Sequence, residues 1–340
     1  MTEDDLSCAL FLTNNRPKKC LDWKTAHEEI DALKNIEVVK IVVDSEGDIT
    51  SALSSTEGAI KERFQYVTQD TYEPPVEQKG FPTQFSKTIS LFSSSPKKPA
   101  VKRTPSAFAL LPNSNNPNGY KTGAFNRITT PANTSAYTGT FATSMILPEY
   151  NASVGQAADE AALMYTGIGD YTEAGFTTYS GSQGTGWFPY FRAEMPHIGT
   201  KTGTKPGFYI DTARKQTPGQ VISSYKVYYK TSESVLKIRF LLGASVLYEL
   251  TLTGQSTSNV RVKRVASIAM NNAPSPTSKF STPYASYGKW FDFKFLKNDG
   301  AASVFPTDVS GLSNETWSHG GSIDYIKSGT NPVSESFKIY

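Results

Sequence analysis

The chain has few of the residue patterns that mark a metal site or a disulfide framework. It contains two cysteines, Cys8 and Cys20, and three histidines in 340 residues. The cysteines form no CxxC pair, and His27, His197 and His319 lie far apart without HxH or HExxH spacing, so the sequence has no zinc motif. Both cysteines as free thiols is the favoured interpretation, and a single Cys8–Cys20 disulfide is the alternative.

Long hydrophobic runs and an excess of charge of one sign are also lacking. No stretch of about 18 apolar residues occurs, which excludes a conventional membrane-spanning helix. The 34 basic and 31 acidic residues give a net charge of +3, so nucleic acid is not an expected partner. The N-terminus carries Glu3, Asp4 and Asp5 where a signal peptide has a positive flank, and no export signal is predicted.

Motifs for nucleophilic catalysis and phosphate binding are missing as well. There is no GxSxG elbow, and "GSQGTG" at 181–186 lacks the GK[ST] ending of a phosphate loop. A glycoside hydrolase needs two carboxylates, and no ExDxxE-like alternation supplies them. Five acids remain as candidates, and the favoured interpretation is that they are solvated loop residues. They could instead converge in space as a catalytic pair or ligate Ca²⁺. They are Asp159, Glu160, Asp170, Glu173 and Glu194.

Residues 1–69 are predicted to form a small α/β unit. Apolar residues recur at helical spacing over 21–33, and "IEVVKIVVD" at 36–44 has the β-branched density of a buried strand. Helical spacing returns over 55–67 through Ile60, Phe64 and Val67. A unit of this size buries little surface, so it is expected to be only marginally stable unless it docks or self-associates.

Residues 70–130 are predicted to be a linker, because Pro, Ser, Asn and Lys concentrate there without a period. The basic cluster Lys97, Lys98, Lys102 and Arg103 could contact an anionic surface, but a solvated linker is favoured. Limited trypsin digestion is expected to release a stable fragment that begins between about residues 98 and 130.

From residue 131 to the C-terminus the pattern is β. The clearest element is a hairpin of two alternating strands, 236–242 and 246–252, joined by the tight turn "GAS". Its predicted core face consists of Leu236, Ile238, Phe240, Leu242, Val246, Tyr248, Leu250 and Leu252.

Several further strands extend this pattern. Val221, Tyr225, Val227 and Tyr229 are predicted to share one face, and a phase shift at Val265 predicts a β-bulge near Lys263 and Arg264. About ten strands without intervening helices predict a single antiparallel β-sandwich of the jelly-roll or concanavalin-like type over 131–340. Other residues predicted to face its core are Phe291, Phe293, Phe295, Phe337 and Ile339.

The order of five motifs resembles a family of secreted Bacillus-type proteins. These motifs are "EAGFTTY" (173–179), "GWFPYFR" (186–192), "VKRVASIAM" (262–270), "GKWFDFKF" (288–295) and "FKIY" (337–340). The resemblance covers about residues 140–340 and implies a concanavalin- or laminin-G-like sandwich, as in many sugar-binding modules. It also implies an extracellular or cell-surface location, and it supplies no catalytic residues.

The function predicted from these observations is non-enzymatic binding of a carbohydrate or cell-surface polymer. Sugar sites combine aromatic faces with hydrogen-bonding groups, and the candidate residues are Trp187, Tyr190 and Tyr228, with Lys226 and Lys230 flanking the last. Packing of these rings in the sandwich is the alternative. Two other functions stay open: a structural or assembly protein that associates with itself, and a jelly-roll glycoside hydrolase with dispersed carboxylates.

Overall fold

A computed structural model describes sixteen parts of the chain, and every structural statement below concerns these parts. They are residues 36–44, 48–68, 112–113, 116–131, 136–150, 160–168, 172–181, 183–193, 207–230, 236–243, 245–253, 261–273, 280, 283–319, 321–329 and 334–340. The predicted helix over 21–33, both cysteines and most of the predicted linker lie outside the described residues.

The described residues form 21 β-strands, with three short 3-10 turns and no α-helix among them. In chain order the strands are β1 Glu37–Val43, β2 Ile49–Ser54, β3 Gly58–Ala59, β4 Phe64–Thr68, β5 Pro112–Asn113, β6 Asn116–Thr129, β7 Gly139–Ile146, β8 Glu160–Ile168, β9 Thr172–Gly181, β10 Gly184–Ala193, β11 Gly207–Asp211, β12 Val221–Tyr229, β13 Leu236–Leu242, β14 Val246–Leu252, β15 Val262–Ala273, β16 Gly288–Phe291, β17 Lys294–Lys297, β18 Ala302–Val304, β19 Ser313–His319, β20 Ile323–Ser328 and β21 Ser334–Ile339.

The strands make two sheets. The first sheet has twelve strands in the order β20-β21-β16-β7-β12-β13-β14-β1-β2-β3, with β17 also beside β7 and β18 beside β17. The second sheet has nine strands in the order β19-β6-β15-β8-β9-β10-β11-β4, with β5 beside β6. Among the described pairs, β1 with β14 is parallel and the others are antiparallel. The predicted all-β antiparallel sandwich is confirmed, whereas its jelly-roll connectivity stays a prediction.

The core lies between the two sheets and is rich in aromatic rings. Phe176 of the second sheet contacts Phe240 edge-on at 6.1 Å between ring centroids, and Phe240 stacks on Tyr248 at 5.6 Å. Tyr225 donates its hydroxyl across the core to the carbonyl oxygen of Ala174 at 2.8 Å, so its polar group is satisfied where it is fully buried. This burial raises the pKa of Tyr225 above its ordinary value.

The N-terminal strands belong to this sandwich. β1 pairs with β14 in the first sheet, and β4 pairs with β11 in the second. The predicted linker ends in strands too, because residues 112–113 and 116–129 form β5 and β6 of the second sheet. The structure therefore differs from the predicted divisions at residues 69 and 130. The helix predicted over 55–67 is wrong, because the segment forms β3, a 3-10 turn at Lys61–Arg63 and β4. Ile60 and Phe64 are nevertheless buried, on either side of the 3-10 turn.

The predicted hairpin is confirmed in register and in phase. Leu242 pairs with Val246 across the turn, and all eight residues predicted to face the core are buried. Gly243 has a φ of +60°, a conformation that favours glycine, so the turn uses the residue best suited to it.

Three other predictions of strand phase need correction. Val221 is 57% exposed while Ile222 is buried, because Ser224 has a φ of +58° and the alternation changes there. Phe291 is only partly buried, because Asp292, with a φ of +52°, separates β16 from β17. Trp290 occupies the core position instead.

The bulge predicted near Lys263 and Arg264 is also absent from β15, whose pairing with β8 is regular from Val262 to Met270. Arg264 points into the sandwich in phase with Val262 and Ala266, and Val265 lies on the opposite face. Because both faces of the second sheet carry buried side chains, β15 shows no regular alternation of apolar and polar residues in the sequence.

Truncation of Phe240 tests the packing of the core. We expect Phe240→Ala to lower the free energy of unfolding by about 3–5 kcal/mol, because the ring is buried among three others and its loss leaves a cavity. Val221→Ala is the control, with an expected change within about 0.5 kcal/mol. Urea unfolding followed by tryptophan fluorescence measures both, and equal losses would contradict the described packing.

No helix among the described residues has the length and apolar character needed to cross a membrane.

Candidate functional site

The outer face of the second sheet, which points away from the inter-sheet core, carries a second buried cluster. Its members come from the central strands β6, β8, β10 and β15 and from β11, and Tyr179 and Trp317 pack against them. Phe125 stacks on Trp317 at 5.7 Å, and Tyr165 contacts Tyr190 edge-on at 6.1 Å. The buried members are Phe125, Ala161, Leu163, Tyr165, Phe188, Tyr190, Ile210 and Val265.

One row of residues crosses this face from strand to strand and carries charge. Lys263 of β15 lies opposite Gly167 of β8, Gly167 lies opposite Glu173 of β9, and Glu173 lies opposite Arg192 of β10. Side chains opposite each other on neighbouring antiparallel strands have their Cβ atoms about 5 Å apart. The register therefore brings one carboxylate between two cations.

The Glu173 carboxylate is fully buried and contacts three residues from two other strands, β10 and β15. Tyr190 donates its hydroxyl to Oε2 at 3.1 Å. Lys263 Nζ lies 3.5 Å from Oε1, and Arg192 Nη1 lies 3.6 Å from the same oxygen. We call Glu173, Tyr190, Arg192 and Lys263 the Glu173 cluster.

Two glycines make this cluster possible. A Cβ at Gly167 would lie 2.2 Å from Lys263 Cε, so the lysine reaches Glu173 by crossing the space that a side chain would occupy. A Cβ at Gly175 would lie 2.5 Å from Tyr165 Cβ, so the strands approach closely beneath the Tyr165–Tyr190 contact. Both glycines are explained by close approach and not by a turn.

Two other buried clusters of opposite charge differ from this one, because both connect the sheets. In the first, Asp211 of the second sheet accepts hydrogen bonds from Arg63 at 2.7 Å and from the Tyr248 hydroxyl at 2.8 Å. Arg63 also contacts Glu37 at 3.0 Å, and Glu37 contacts Arg214. We call these five residues the Asp211 cluster, which joins the first sheet to β4 and β11.

The second such cluster is centred on Arg264, whose guanidinium is fully buried. It donates to Glu335 Oε1 at 2.8 Å and to Asn126 Oδ1 at 2.6 Å, and Tyr325 donates its hydroxyl to Glu335 Oε1 at 2.8 Å. We call these four residues the Arg264 cluster. Charged hydrogen bonds in proteins are about 2.7–2.9 Å long. The main carboxylate–guanidinium contacts of both inter-sheet clusters have this length, at 2.7 and 2.8 Å, whereas the cation contacts of Glu173 are longer.

The predicted sugar site is not assembled. Trp187 is fully buried in the inter-sheet core, where its indole nitrogen donates to the carbonyl oxygen of Pro148 at 2.9 Å. Tyr190 is buried on the opposite face of the same strand and binds Glu173. Neither ring presents a face on which a sugar can stack, which corrects the prediction that Trp187 is exposed after its glycine-rich loop.

Tyr228, Lys226 and Lys230 lie together on the outer face of the first sheet. The Nζ atoms of Lys226 and Lys230 are 4.7 and 5.8 Å from the Tyr228 ring centroid, and a Cβ on Gly300 would lie 3.1 Å from the same ring. Burial, and then the charge of Lys230, lowers the pKa of Lys226. The ring thus packs against the chain's own residues and lies far from Trp187, in another sheet.

Of the five acids singled out in the sequence, Glu160 and Glu173 are described, and both are buried. Asp159, Asp170 and Glu194 lie outside the described residues, as do His27 and His197. In the part of the chain that the structure describes, no group of three or more His, Cys, Asp or Glu residues is arranged to hold a metal ion. The suggestion of Ca²⁺ stays a prediction.

A cavity of about 500 Å³ lies apart from the Glu173 cluster, where β2, β4 and β11 meet. Ile49, Phe64 and Tyr209 supply its apolar walls, and Asp48, Thr50 and Lys61 supply polar groups. The cavity has room for a ligand. Its one acid and one amine are not the convergent set of groups that a catalytic site requires.

Comparison with known proteins gives matches at the level of structure alone. No protein-family model matches the chain, and no curated protein matches it. A solved structure of scytalidoglutamic peptidase with a peptide-based transition-state analogue has a TM-score of 0.40 and 12% identity, and covers 65% of this chain and 98% of its own. SCP-B, an eqolisin-family peptidase in complex with the tripeptide Ala-Ile-His, has a TM-score of 0.38 and 11% identity, with the same coverages.

The predicted non-enzymatic carbohydrate- or cell-surface-binding function is corrected, because Trp187 and Tyr190, two of the rings predicted to bind the sugar, are buried. A glycan partner and self-association are not supported either. At these scores no residue role passes from the peptidases to this chain. The resemblance to secreted Bacillus-type proteins and the location it implies stay predictions.

Proposed function

We propose that the chain is a hydrolase of amide bonds and that Glu173 is its general base. The observation that carries the proposal is the Glu173 carboxylate, which is buried on the outer face of the second sheet and contacted by Tyr190, Arg192 and Lys263. A positioned carboxylate removes a proton from a water molecule while the water oxygen attacks a carbonyl carbon.

The neighbours of Glu173 have the properties that the rest of the reaction needs. Attack on a carbonyl creates a tetrahedral oxyanion, and donors fixed before the reaction stabilise that charge strongly in a buried site. Two cations and a hydroxyl surround the Glu173 carboxylate, and they belong to Lys263, Arg192 and Tyr190. When the tetrahedral species collapses, the carbon–nitrogen bond breaks and the proton held by Glu173 passes to the leaving amine.

The composition of the cluster favours acyl transfer over glycoside cleavage. Glycosidases need a second carboxylate about 5–10 Å from the first. The described groups in contact with Glu173 are a hydroxyl and two cations. Glu315 lies on the same face but on β19, which three strands separate from β9, and it is bound to Arg127 at 2.6 Å. A peptide also offers apolar side chains that suit the neighbouring rings of Tyr165 and Phe188.

The burial of Glu173 adds a requirement. Its side chain is not exposed, so a substrate reaches the carboxylate only after the site opens. Opening steps of this kind are common in enzymes and often limit the rate.

Digestion of an unfolded protein tests the proposal. The purified full chain is incubated with reduced, carboxymethylated casein and with a mixed peptide library at acidic and neutral pH, and mass spectrometry identifies new amino and carboxyl termini. We expect new termini that accumulate with time and in proportion to the amount of chain. A polysaccharide panel is the control. Release of reducing sugars without peptide cleavage, or no cleavage at any pH, would contradict the proposal.

Substitution of Gly167 tests whether the position of Lys263 matters. Gly167→Ala places a methyl group where the Lys263 stem crosses the strand, so the amine must move away from Glu173. We expect kcat for peptide cleavage to fall about tenfold, less than the ~10²–10³-fold loss typical when one oxyanion donor is removed. The melting temperature should change little, because the displaced group is a flexible side chain. An unchanged kcat would show that Lys263 takes no part.

A further inference from the structure

The Arg264 cluster and the neighbouring Trp290 together contain three buried polar atoms that have no hydrogen-bond partner among the protein atoms described. They are Arg264 Nε, Trp290 Nε1 and Glu335 Oε2. The residues that carry them are at most 1% exposed. A buried polar atom without a partner is costly, so three in one place require an explanation.

The three residues are mutual neighbours. Trp290 of β16 and Glu335 of β21 are opposite each other in the first sheet, and both side chains are buried between the sheets. Arg264 approaches from the second sheet: its Nη2 lies 2.8 Å from Glu335 Oε1, and its Cζ lies 5.2 Å from the centre of the Trp290 ring. Each residue of the three therefore lies beside the other two.

The rest of the guanidinium has its partners or is enclosed by rings. Nη1 donates to Asn126 and Nη2 donates to Glu335, while the Phe337 ring centroid lies 4.6 Å from Cζ. Glu335 Oε1 accepts from both Arg264 and Tyr325. The atoms left without any partner are thus two N–H nitrogens, on Arg264 and Trp290, and one carboxylate oxygen, on Glu335.

We propose that these three atoms bind one buried water molecule. Water accepts two hydrogen bonds and donates two, so a single molecule accepts from Arg264 Nε and Trp290 Nε1 and donates to Glu335 Oε2. Buried waters typically make about three such bonds to groups that the protein leaves unsatisfied. An anion is disfavoured at this place by the Glu335 carboxylate, and a cation by the two N–H donors. The water completes the connection between β15 and the C-terminal strands.

A crystal structure of the full chain at a resolution that shows ordered water tests the proposal directly. We expect one density peak within about 3.2 Å of all three atoms. No peak there, or protein partners for the three atoms, would overturn it.

Oxygen-17 relaxation dispersion, which counts long-lived internal waters in solution, gives a second test with a matched pair of variants. Trp290→Phe removes one of the three partners, so we expect one internal water fewer than in the wild type. Trp187→Phe is the control, because the Trp187 indole is equally buried but already donates to Pro148. The same count in Trp290→Phe as in the wild type, or equal losses in both variants, would contradict the site.

Discussion

Replacing Asp211 by alanine is expected to lower the free energy of unfolding by about 3–5 kcal/mol, the usual cost of removing one partner from a buried ion pair. Asp211 is buried and holds Arg63 through two of its nitrogens, at 2.7 and 3.3 Å. It also accepts from the buried Tyr248 hydroxyl, whose pKa is raised well above its ordinary value by burial and by the Asp211 charge. The variant leaves the Arg63 guanidinium buried without its main counter-charge.

A set of variants separates the lost charge pair from simple loss of a side chain. Asp308→Ala, on an exposed turn, is the control and should change stability by less than about 0.5 kcal/mol. Arg63→Met added to Asp211→Ala removes the uncompensated charge, so the double variant should be more stable than Asp211→Ala alone. Urea unfolding measures all three. A double variant less stable than Asp211→Ala would show that the pair is not the source of the loss.

The hairpin of β13 and β14 could be predicted residue by residue because one face of each strand meets the core and the other is only partly buried. Alternation then appears directly in the sequence. In β15 the same reasoning failed, because the outer-face residue Val265 and the core-face residue Arg264 are both buried. Buried charge among aromatic rings has no periodic signature.

The prediction of a helix in the N-terminal segment failed for a different reason. Ile60, Phe64 and Val67 have helical spacing, but the structure uses a 3-10 turn followed by β4, which pairs with β11 about 145 residues later in the chain. Strand partners of this sequence separation override local spacing. Trp187 is a similar case, because its contacts with Tyr150 and Tyr284 come from distant parts of the chain.

The candidate site was only partly predictable. Glu173 was one of five acids singled out, and the alternation of "EAGFTTY" places Ala174 and Phe176 on one face and Glu173 on the other. Its partners Arg192 and Lys263 could not be found, because they become neighbours through the register of four strands and the absence of a side chain at Gly167.

The second large effect is expected from Glu173→Gln. Glutamine keeps the size of the side chain and an oxygen that accepts from Tyr190, but it cannot take a proton from water. Loss of a general base typically lowers the rate by about 10²–10⁴-fold, and we expect kcat for peptide cleavage to fall in that range. Some stability is also lost, since Arg192 and Lys263 keep their charges beside a neutral group.

Glu335→Gln is the matched control, because Glu335 is equally buried and also contacts a cation, but it lies between the sheets in the Arg264 cluster. The decisive measurement is kcat for peptide cleavage per mole of folded chain in the two variants, with the folded fraction determined by circular dichroism. The account predicts a loss of at least about 10²-fold for Glu173→Gln and a kcat near that of the wild type for Glu335→Gln. Equal kcat values for the two variants would contradict a catalytic role for Glu173.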